Sequence, residues 1–479
     1  MKTYAPDWAI KHRQKGTQII KIRSNYYLYK ISSRWDKKKK RAVKVTEEYL
    51  GKITPEGLIK PKHKRAVEVL QHLTVKEYGA SHFTSTIAQP IQELLKKHFP
   101  DEWETILVFA VERLFHASPM KNVTYYFNSS HLSDIYHLAQ VSPKNLSDLL
   151  FSLGRNRGKL CEFMKTFVVG VDFAVIDLTH VFSLSENIIS STLGHNSEKN
   201  YTPQVNLTLI FSLDKQQPVF YRIVPGSISD VSVIPATLRE SGVKKAVVIG
   251  DKGFHSANNT EFLEQQLLEY ILPIKRNDSR IDYAPISGAD RKGFGDYFLF
   301  EERCIWHYEK KLENNRRIIL FLDEKLKAEE EKDFLTHVNE QKLALDEFYQ
   351  KQFTLGTIAV LTNTPYTPER VYELLKSRIE IEVLFDTLKN TLHADRTYMR
   401  DDTHLEGWMF INFIALLLYY LIYNLLVDKK LLKKYSPKDV LLHMSRVNKI
   451  QAGEKWYISE IPKTTRMLAE KMEIELHIT

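Results

Sequence analysis

Between residues 167 and 276 the hydrophobic pattern changes from helical spacing to short apolar runs, and this change limits the fold most strongly. Three consecutive runs are typical of β-strands: FVVGVDFAVIDLTHVF, QVNLTLIFSL and QPVFYRIVPGS. Two further strand-like runs, KKAVVIGD and YILPIKRN, alternate with the helical segments SDVSVIPATLRESG and SANNTEFLEQQLLEY. Three strands followed by alternating helix and strand predict an α/β core, a mixed sheet with helices on its faces.

Three acidic residues stand in separate segments of this pattern. Asp177 lies inside the first strand, Asp251 ends KKAVVIGD, and Glu382 belongs to the helical segment SRIEIEVLFDTLK. A buried carboxylate is costly unless it is paired or bound to metal, and catalytic groups often lie at strand ends in α/β sheets. Carboxylate oxygens suit Mg²⁺ or Mn²⁺, and two such ions can activate water against a phosphodiester. We therefore expect these residues to be catalytic metal ligands.

Each acidic residue also has a structural interpretation. Asp177 could accept a hydrogen bond from the hydroxyl of Thr179, and Asp251 could be a turn residue before Lys252. Glu382 could belong to a ladder of surface charges along a helix. Taken singly, these alternatives stay open.

Cations flank the predicted helical acid. Arg378, Glu382 and Lys389 follow a spacing that places them on one face of a continuous helix, whereas Glu380 points away from that face. Arg378 and Lys389 are therefore predicted to bind DNA phosphates, and Lys252 is a weaker candidate for the same role.

Charge is concentrated at the beginning of the chain. Residues 1 to 65 contain 19 Lys/Arg and 5 Asp/Glu, a net of +14, so the remainder carries −5 of the total of +9. A basic arm of this kind predicts a polyanionic partner, most often nucleic acid. A solvated hairpin tip is an equally good interpretation of the run WDKKKKR. The candidate DNA contacts within that run are Lys37, Lys38, Lys39, Lys40 and Arg41.

Changes of pattern divide the chain into six predicted regions. They are a basic β-rich N-terminal arm (1–66), a helical DNA-binding region (67–166), the first half of the core (167–276), a β-rich insertion (277–355), the second half of the core (356–428) and a basic helical tail (429–479). The apolar stretch 409–427 is long enough to span a membrane, but Asn412 and Asn424 interrupt it, so a buried helix is preferred. Two cysteines exclude a disulfide framework, and no apolar segment follows Met1, which together predict a cytoplasmic protein without a membrane partner.

Several motifs together resemble one family. VIDLTHVFS, VVIGDKGFHS and the R-x₃-E-x₆-K pattern of Arg378, Glu382 and Lys389 are similar to DDE transposases of the IS4 superfamily, in particular its IS1634-like group. The resemblance extends from about 165 to 425. Residues 226–230 stand for the family's G-N-x-x-D turn with Ser227 replacing the asparagine, and Leu375 replaces a tyrosine.

The resemblance implies an RNase H-like core with a β-rich insertion and two Mg²⁺ ions, for which Mn²⁺ can substitute, held by Asp177, Asp251 and Glu382. It implies cut-and-paste transposition, in which hydrolysis at a terminal inverted repeat frees a 3′-hydroxyl that then attacks target DNA, often through a DNA hairpin. A homodimer in the synaptic complex and a nucleoid-associated location are also implied. In a hairpin mechanism Trp306 is a candidate for stacking on an extruded base, with a core position as the alternative.

Two other functions fit parts of the sequence. One is a transposase-derived DNA-binding protein that has lost catalysis, but the intact acidic set argues against it. The other is a metal-dependent nuclease of the same fold that performs no strand transfer, and the basic arm and extra helical region argue for end recognition instead.

Overall fold

The N-terminal region is a small antiparallel sheet. The computed structural model describes residues 5–64, 73–194, 201–228, 230–286 and 291–477. After a short helix, α1 (Asp7–Ile10), the chain forms strands β1 (Thr17–Ile22), β2 (Asn25–Asp36), β3 (Arg41–Thr54) and β4 (Gly57–Ile59), which pair in that order. Its core is small, with Ala9, Leu28 and Ile53 buried. So small a core buries little apolar surface and contributes only modestly to stability.

A helical region follows and shares the main hydrophobic core. Its helices are α2 (Gly79–Ile87), α3 (Gln89–His98), α4 (Trp103–His116), α5 (Val123–Asn128), α6 (Leu132–Ile135), α7 (Pro143–Arg155) and α8 (Arg157–Val168). Helix α7 begins at a Ser-Pro pair, where the side chain of Ser142 accepts a hydrogen bond from the backbone N–H of Asn145 and Pro143 occupies the first turn.

A second small sheet joins the segment that follows the N-terminal sheet to the C-terminal region of the chain. Strand β5 (Thr74–Glu77) was expected to be helical, but it pairs with β16 (Asn448–Ala452), which pairs in turn with β17 (Lys455–Ile458). The prediction of a helical tail is therefore wrong for this hairpin, although helices α16 (Pro437–Met444) and α17 (Lys463–Lys471) flank it. Such strand pairing joins segments far apart in sequence, which a local pattern does not reveal.

Among the residues that the structure describes, the main sheet contains ten strands, and it confirms the predicted mixed sheet with flanking helices. They are β6 (Phe173–Ser183), β7 (Gln204–Ser212), β8 (Gln217–Pro225), β9 (Val247–Ile249), β10 (Glu269–Ile274), β11 (Asp296–Phe300), β12 (Arg303–Lys311), β13 (Arg317–Asp323), β14 (Thr357–Thr362) and β15 (Arg396–Thr397). The spatial order is β11-β12-β13-β14-β10-β9-β6-β7-β8, with β15 beside β6. Every residue of β7 is buried, so its polar side chains as well as its apolar ones face packed protein.

The strands of the predicted insertion do not form a sheet of their own. β11, β12 and β13 pair antiparallel in succession, and β13 pairs with β14, which pairs with β10 of the core. Two helices connect strands of the core: α9 (Asp230–Ser241) lies between β8 and β9, and α10 (Ala257–Gln265) lies between β9 and β10. Within the predicted insertion, α11 (Glu324–Asn339) and α12 (Leu345–Lys351) connect β13 to β14. The insertion therefore extends the edge of the core sheet.

The segment predicted as one long helix around Glu382 is broken. Helix α13 (Pro368–Lys376) ends at a turn of Ser377 and Arg378, and α14 (Ile379–Asp386) continues into a π-helical turn, Thr387–Thr391. A π-turn widens the helix by one residue, so it interrupts the regular spacing on which the predicted face relied.

Helix α15 (Asp402–Asp428) contains the long apolar stretch. It is long and apolar enough to cross a membrane by length and composition, but most of it is buried inside the structure, as the preferred interpretation expected. It packs closely against α7, because a Cβ added at Gly407 would lie 2.1 Å from the carbonyl oxygen of Leu150, and one at Gly154 would also meet backbone. Two glycines thus permit the contact between these helices.

Candidate active site

The two aspartates lie at the same level of neighbouring parallel strands. Val175 of β6 pairs with Ile249 of β9, and each aspartate follows its paired residue by two positions. Asp177 is therefore inside the long strand β6, whereas Asp251 follows the end of the short strand β9 and precedes a 3₁₀ turn. The side chain of Asp177 is 14% exposed and that of Asp251 is 43% exposed.

One guanidinium group joins all three predicted acids. Arg378 Nη1 donates to Asp177 Oδ2 at 2.9 Å, and Arg378 Nη2 donates to Glu382 Oε1 at 2.8 Å. The same Nη2 lies 3.9 Å from Asp251 Oδ1. The break between α13 and α14 places Arg378 at the start of α14, from which it reaches the sheet while Glu382 follows one turn later. The structure thus brings the three carboxylates together around a single cation.

The donor set fits a hard divalent cation. Carboxylate oxygens are the ligands that Mg²⁺ and Mn²⁺ prefer, and Asp251 and Glu382 are exposed enough to be reached by solvent ions. Within the described ranges, however, no three His, Cys, Asp or Glu side chains are already grouped as for one metal ion. The Arg378 guanidinium lies between the carboxylates, so metal binding requires that these ion pairs rearrange.

A cleft of about 480 Å³ opens beside the carboxylates. Its wall includes Arg276, which follows β10, and Glu330 of α11. Arg276 donates from Nε to the carbonyl oxygen of Thr357 at 2.9 Å and from Nη2 to Glu330 at 2.8 Å, so its position is fixed. Sequence reasoning missed both residues. The signal for Arg276 was present in the sequence, because Arg276 follows β10, and β10 runs parallel to β9, the strand that Asp251 follows.

Two lysines line the same cleft. Lys252 is exposed, next to Asp251, as its predicted phosphate role requires. Lys376, which sequence reasoning also missed, is half-buried over the ring of Tyr372, and burial lowers the pKa of its ammonium group. Tyr372 itself is fully buried, and its hydroxyl lies 3.4 Å from the carboxylate of Asp323. It is therefore a core residue, and Leu375, where the family has tyrosine, lines the cleft.

The predicted phosphate contacts Arg378 and Lys389 are engaged with protein groups in this structure. Arg378 contacts the carboxylates as described, and Lys389 Nζ lies 3.4 Å from His180 Nε2. His180 is buried on β6, three residues from Asp177. The π-turn carries Lys389 toward this strand, so the regular helical face predicted from the sequence is not formed. His255, close to Asp251 in sequence, has its pKa lowered by burial and then by Arg280, which contacts its ring at 3.0 Å.

The turn predicted to match the family's G-N-x-x-D motif is only partly described, because Ser229 lies outside the described residues. Asn206 of β7 donates to the carbonyl oxygen of Gly226 at 3.1 Å, and Thr192 accepts from the backbone N–H of Ser227 at 2.8 Å. A Cβ at Gly226 would lie 2.1 Å from the carbonyl oxygen of Gln204, so this glycine permits a close backbone approach.

The remaining predicted site residues, Trp306 and residues 37–41, belong to parts of the chain other than those that contain the carboxylates. Trp306 is half-buried on β12, with its ring 5.2 Å from Tyr297 and 6.0 Å from Phe294, and it packs against the main core. This is the packing that the alternative interpretation expected, and a base-stacking role for Trp306 stays a prediction. The residues Lys37 to Lys40 form the exposed turn between β2 and β3, and Arg41 begins β3. The hairpin-tip interpretation thus describes their structure, and DNA contact by these residues stays a prediction.

A mixed sheet that brings three carboxylates beside a cation-lined cleft defines a site suited to phosphodiester chemistry. The family model described as "Transposase DDE domain" matches residues 175–418, just over half of the chain, and the chain belongs to this transposase family. It is therefore a DNA transposase, an enzyme that acts on DNA with divalent metal ions.

Two other comparisons add little. A solved structure described as a piggyBac transposase synaptic complex with hairpin DNA aligns at a TM-score of 0.38 and 10% identity, covering 72% of this chain and 70% of that chain. The comparison with curated proteins found no significant match.

Proposed function

We propose that this chain is an active transposase of the IS4 superfamily, in its IS1634-like group, that cuts DNA at terminal inverted repeats and transfers the freed strand into target DNA. The observation that carries the proposal is the convergence of Asp177, Asp251 and Glu382 on one guanidinium, beside a cleft that Lys252 and Lys376 also line. A protein that had become only a DNA-binding module would have no reason to retain three clustered carboxylates, which repel the DNA backbone.

The carboxylates would hold two Mg²⁺ or Mn²⁺ ions. When bound, these ions supply activation of the attacking oxygen and stabilisation of the leaving oxygen. Arg378 balances part of the carboxylate charge, and it can turn to a phosphate oxygen once its partners are engaged elsewhere. Lys252 lines the cleft and can donate to a phosphate oxygen. Arg276 is held by Glu330 and Thr357, and its fixed position can orient the DNA strand.

The proposed core is RNase H-like. In support, β8, β7, β6, β9 and β10 are adjacent in that order, and β7 alone runs antiparallel to the other four. Two acidic residues come from its adjacent strands β6 and β9, and the third comes from a helix packed near β6.

The pathway would be cut-and-paste. Water attacks the phosphodiester at the transposon end and releases a 3′-hydroxyl, and that hydroxyl attacks a second phosphodiester, displacing its 3′-oxygen. Where the second bond lies on the opposite strand, the product is a hairpin. We propose a homodimer in the synaptic complex, bridged by DNA, and a nucleoid-associated location in the cytoplasm.

The test is cleavage of a labelled duplex that carries the DNA flanking the coding sequence, with Mg²⁺, with Mn²⁺ and with EDTA. We expect metal-dependent cutting at the end of the element, followed by joining to an unlabelled plasmid, and neither reaction in Glu382→Ala. Cutting without joining would favour the nuclease without strand transfer. Tight binding without cutting in either metal would favour the inactive DNA-binding descendant.

A further inference from the structure

Part of the N-terminal hairpin extends beyond its sheet as a two-stranded ribbon. Pairing of β1 with β2 ends at Thr17 opposite Lys30, whereas β2 and β3 remain paired from Ile31 opposite Thr46 to Asp36 opposite Arg41. Residues 31–46, called here the basic ribbon, therefore have neighbours on neither outer edge among the described strands. Six residue pairs correspond to a length of about 20 Å.

The ribbon is strongly cationic and exposed. It has a single acidic residue, Asp36, and seven cationic ones, which are Arg34, Lys37, Lys38, Lys39, Lys40, Arg41 and Lys44. All seven cations are exposed, and the ring of Trp35 among them is 63% exposed. Seven mutually repelling charges contribute no packing that would stabilise the fold, so their concentration here indicates a polyanionic partner.

The tip of the ribbon has a fixed backbone. The carboxylate of Asp36 accepts hydrogen bonds from the backbone N–H groups of Lys38 at 2.9 Å and Lys39 at 3.1 Å. Lys40 adopts a left-handed conformation with φ of +47°, which closes the turn. The only acidic group of the ribbon is thus occupied by the backbone, and the turn presents its lysine side chains outward.

The base of the ribbon has two irregularities of strand register. Register irregularities occur between Leu28 and Tyr29 and between Lys30 and Ile31, where the ribbon leaves the sheet. Bulges at such places bend a hairpin and increase its twist, so we expect the ribbon to leave the plane of the sheet.

We propose that the basic ribbon inserts into the major groove of duplex DNA, with the tip lysines on the phosphates. The major groove, about 12 Å wide, admits a two-stranded ribbon. Cross-strand pairing places Arg34 and Arg41 on one face and Trp35 and Lys44 on the other. The first face offers guanidinium groups to base edges, and the second offers an apolar ring and a cation to the groove wall.

This inference rests on the proposed function only in taking DNA as the substrate, and it is tested by binding alone. The protein carries Glu382→Ala, so that no cleavage occurs, and the probe is a mixed-sequence duplex of about 30 base pairs. Binding is measured by fluorescence anisotropy over a range of salt concentrations. The test variant adds Lys37→Gln, Lys38→Gln and Lys39→Gln. The matched control adds Lys433→Gln, Lys434→Gln and Lys438→Gln, which removes the same charge from another exposed surface.

We expect the ribbon variant to bind at least ~10-fold more weakly at 0.1 M salt, with a salt slope reduced by about 3, because each phosphate contact contributes about 0.9 to that slope. The control should change the slope by less than ~1. Equal slopes for the ribbon variant and the parent, with unchanged thermal melting, would overturn the proposal. An equal loss in the control would also overturn it, since binding would then depend on net charge alone.

The groove is tested with two modified probes. Duplexes whose cytosines carry glucosylated hydroxymethyl groups block the major groove, and distamycin blocks the minor groove. We expect glucosylation, and not distamycin, to weaken duplex binding by the parent protein. Glucosylation should have little further effect on duplex binding by the ribbon variant. The reverse pattern would contradict insertion into the major groove. The proposed function fails separately, if the unmutated protein never cuts its own flanking DNA while these binding results hold.

Discussion

Replacement of Glu382 by glutamine should abolish DNA cleavage with almost no effect on folding. The Glu382 side chain is 54% exposed, and its only described ion pair is with Arg378 at 2.8 Å. An exposed pair of this kind contributes about 0–1 kcal/mol to stability, so the free energy of unfolding should change by less than ~1 kcal/mol. The lost carboxylate is a proposed metal ligand, and its removal should lower the cleavage rate at least ~1,000-fold, which corresponds to about 4 kcal/mol of activation free energy.

A matched control lies two residues away. Glu380 is half-buried, burial raises the pKa of its carboxyl group, and it lines a different pocket with Arg370 and Ser377. Glu380→Gln removes the same charge from the same helix, and we expect cleavage within ~5-fold of the parent protein. The assay is single-turnover cleavage of an end-labelled duplex in Mg²⁺, with thermal melting of each protein. The assignment would be refuted if the two variants lost activity equally, or if Glu382→Gln cut DNA within ~10-fold of the parent.

Three further predictions concern packing, pH and metal. Gly407→Ala should destabilise the protein by about 1–3 kcal/mol or more, because the added Cβ would lie 2.1 Å from the backbone oxygen of Leu150, whereas Gly158→Ala, with no atom within 4 Å, should be neutral or stabilising; thermal melting compares them. Burial, and secondarily Glu77, raises the pKa of Glu112 to about 8, so its stabilising proton is retained at low pH and lost as pH rises from about 5 through 8. Glu112→Gln should therefore melt like the parent at pH 5 and at a higher temperature at pH 9; an unchanged difference between these pH values would contradict the reasoning. EDTA should stop cleavage while leaving duplex binding within ~3-fold, and either Mg²⁺ or Mn²⁺ should restore it; cleavage that persists in EDTA would exclude the metal assignment.

The central strands of the sheet were predictable because they are buried on both faces. The run AVVI (246–249) has no polar alternation, and strand β9 within it is buried throughout. The pairing of β5 with β16 was not predictable, because Thr74–Glu77 is short and its partner lies more than 370 residues later. The same reason applies to β11–β13, whose membership of the core sheet depends on β14 at its edge.

The three acids were predictable from their local contexts, but their common partner was not. Sequence spacing gave Arg378 and Glu382 as neighbours on a helix, and they are. The contacts of Arg378 with two strands depend on the turn at Ser377, which a helical pattern without Gly or Pro does not indicate. Lys389 was placed on the same face as Glu382, and the π-turn at Thr387–Thr391 moved it toward His180.

The distribution of charge separates DNA attraction from catalysis. In the cleft, Arg378 contacts the three carboxylates and Arg276 pairs with Glu330, so much of the local cationic charge is already paired with acidic side chains of the protein. The chain after residue 65 carries a net charge of −5, whereas the first 65 residues carry +14. Long-range attraction of a duplex must therefore come mainly from the N-terminal sheet and its ribbon. Because the paired cations of the cleft offer phosphate little net attraction, we expect DNA binding to depend on the basic arm and cleavage to depend on the proposed metal ions.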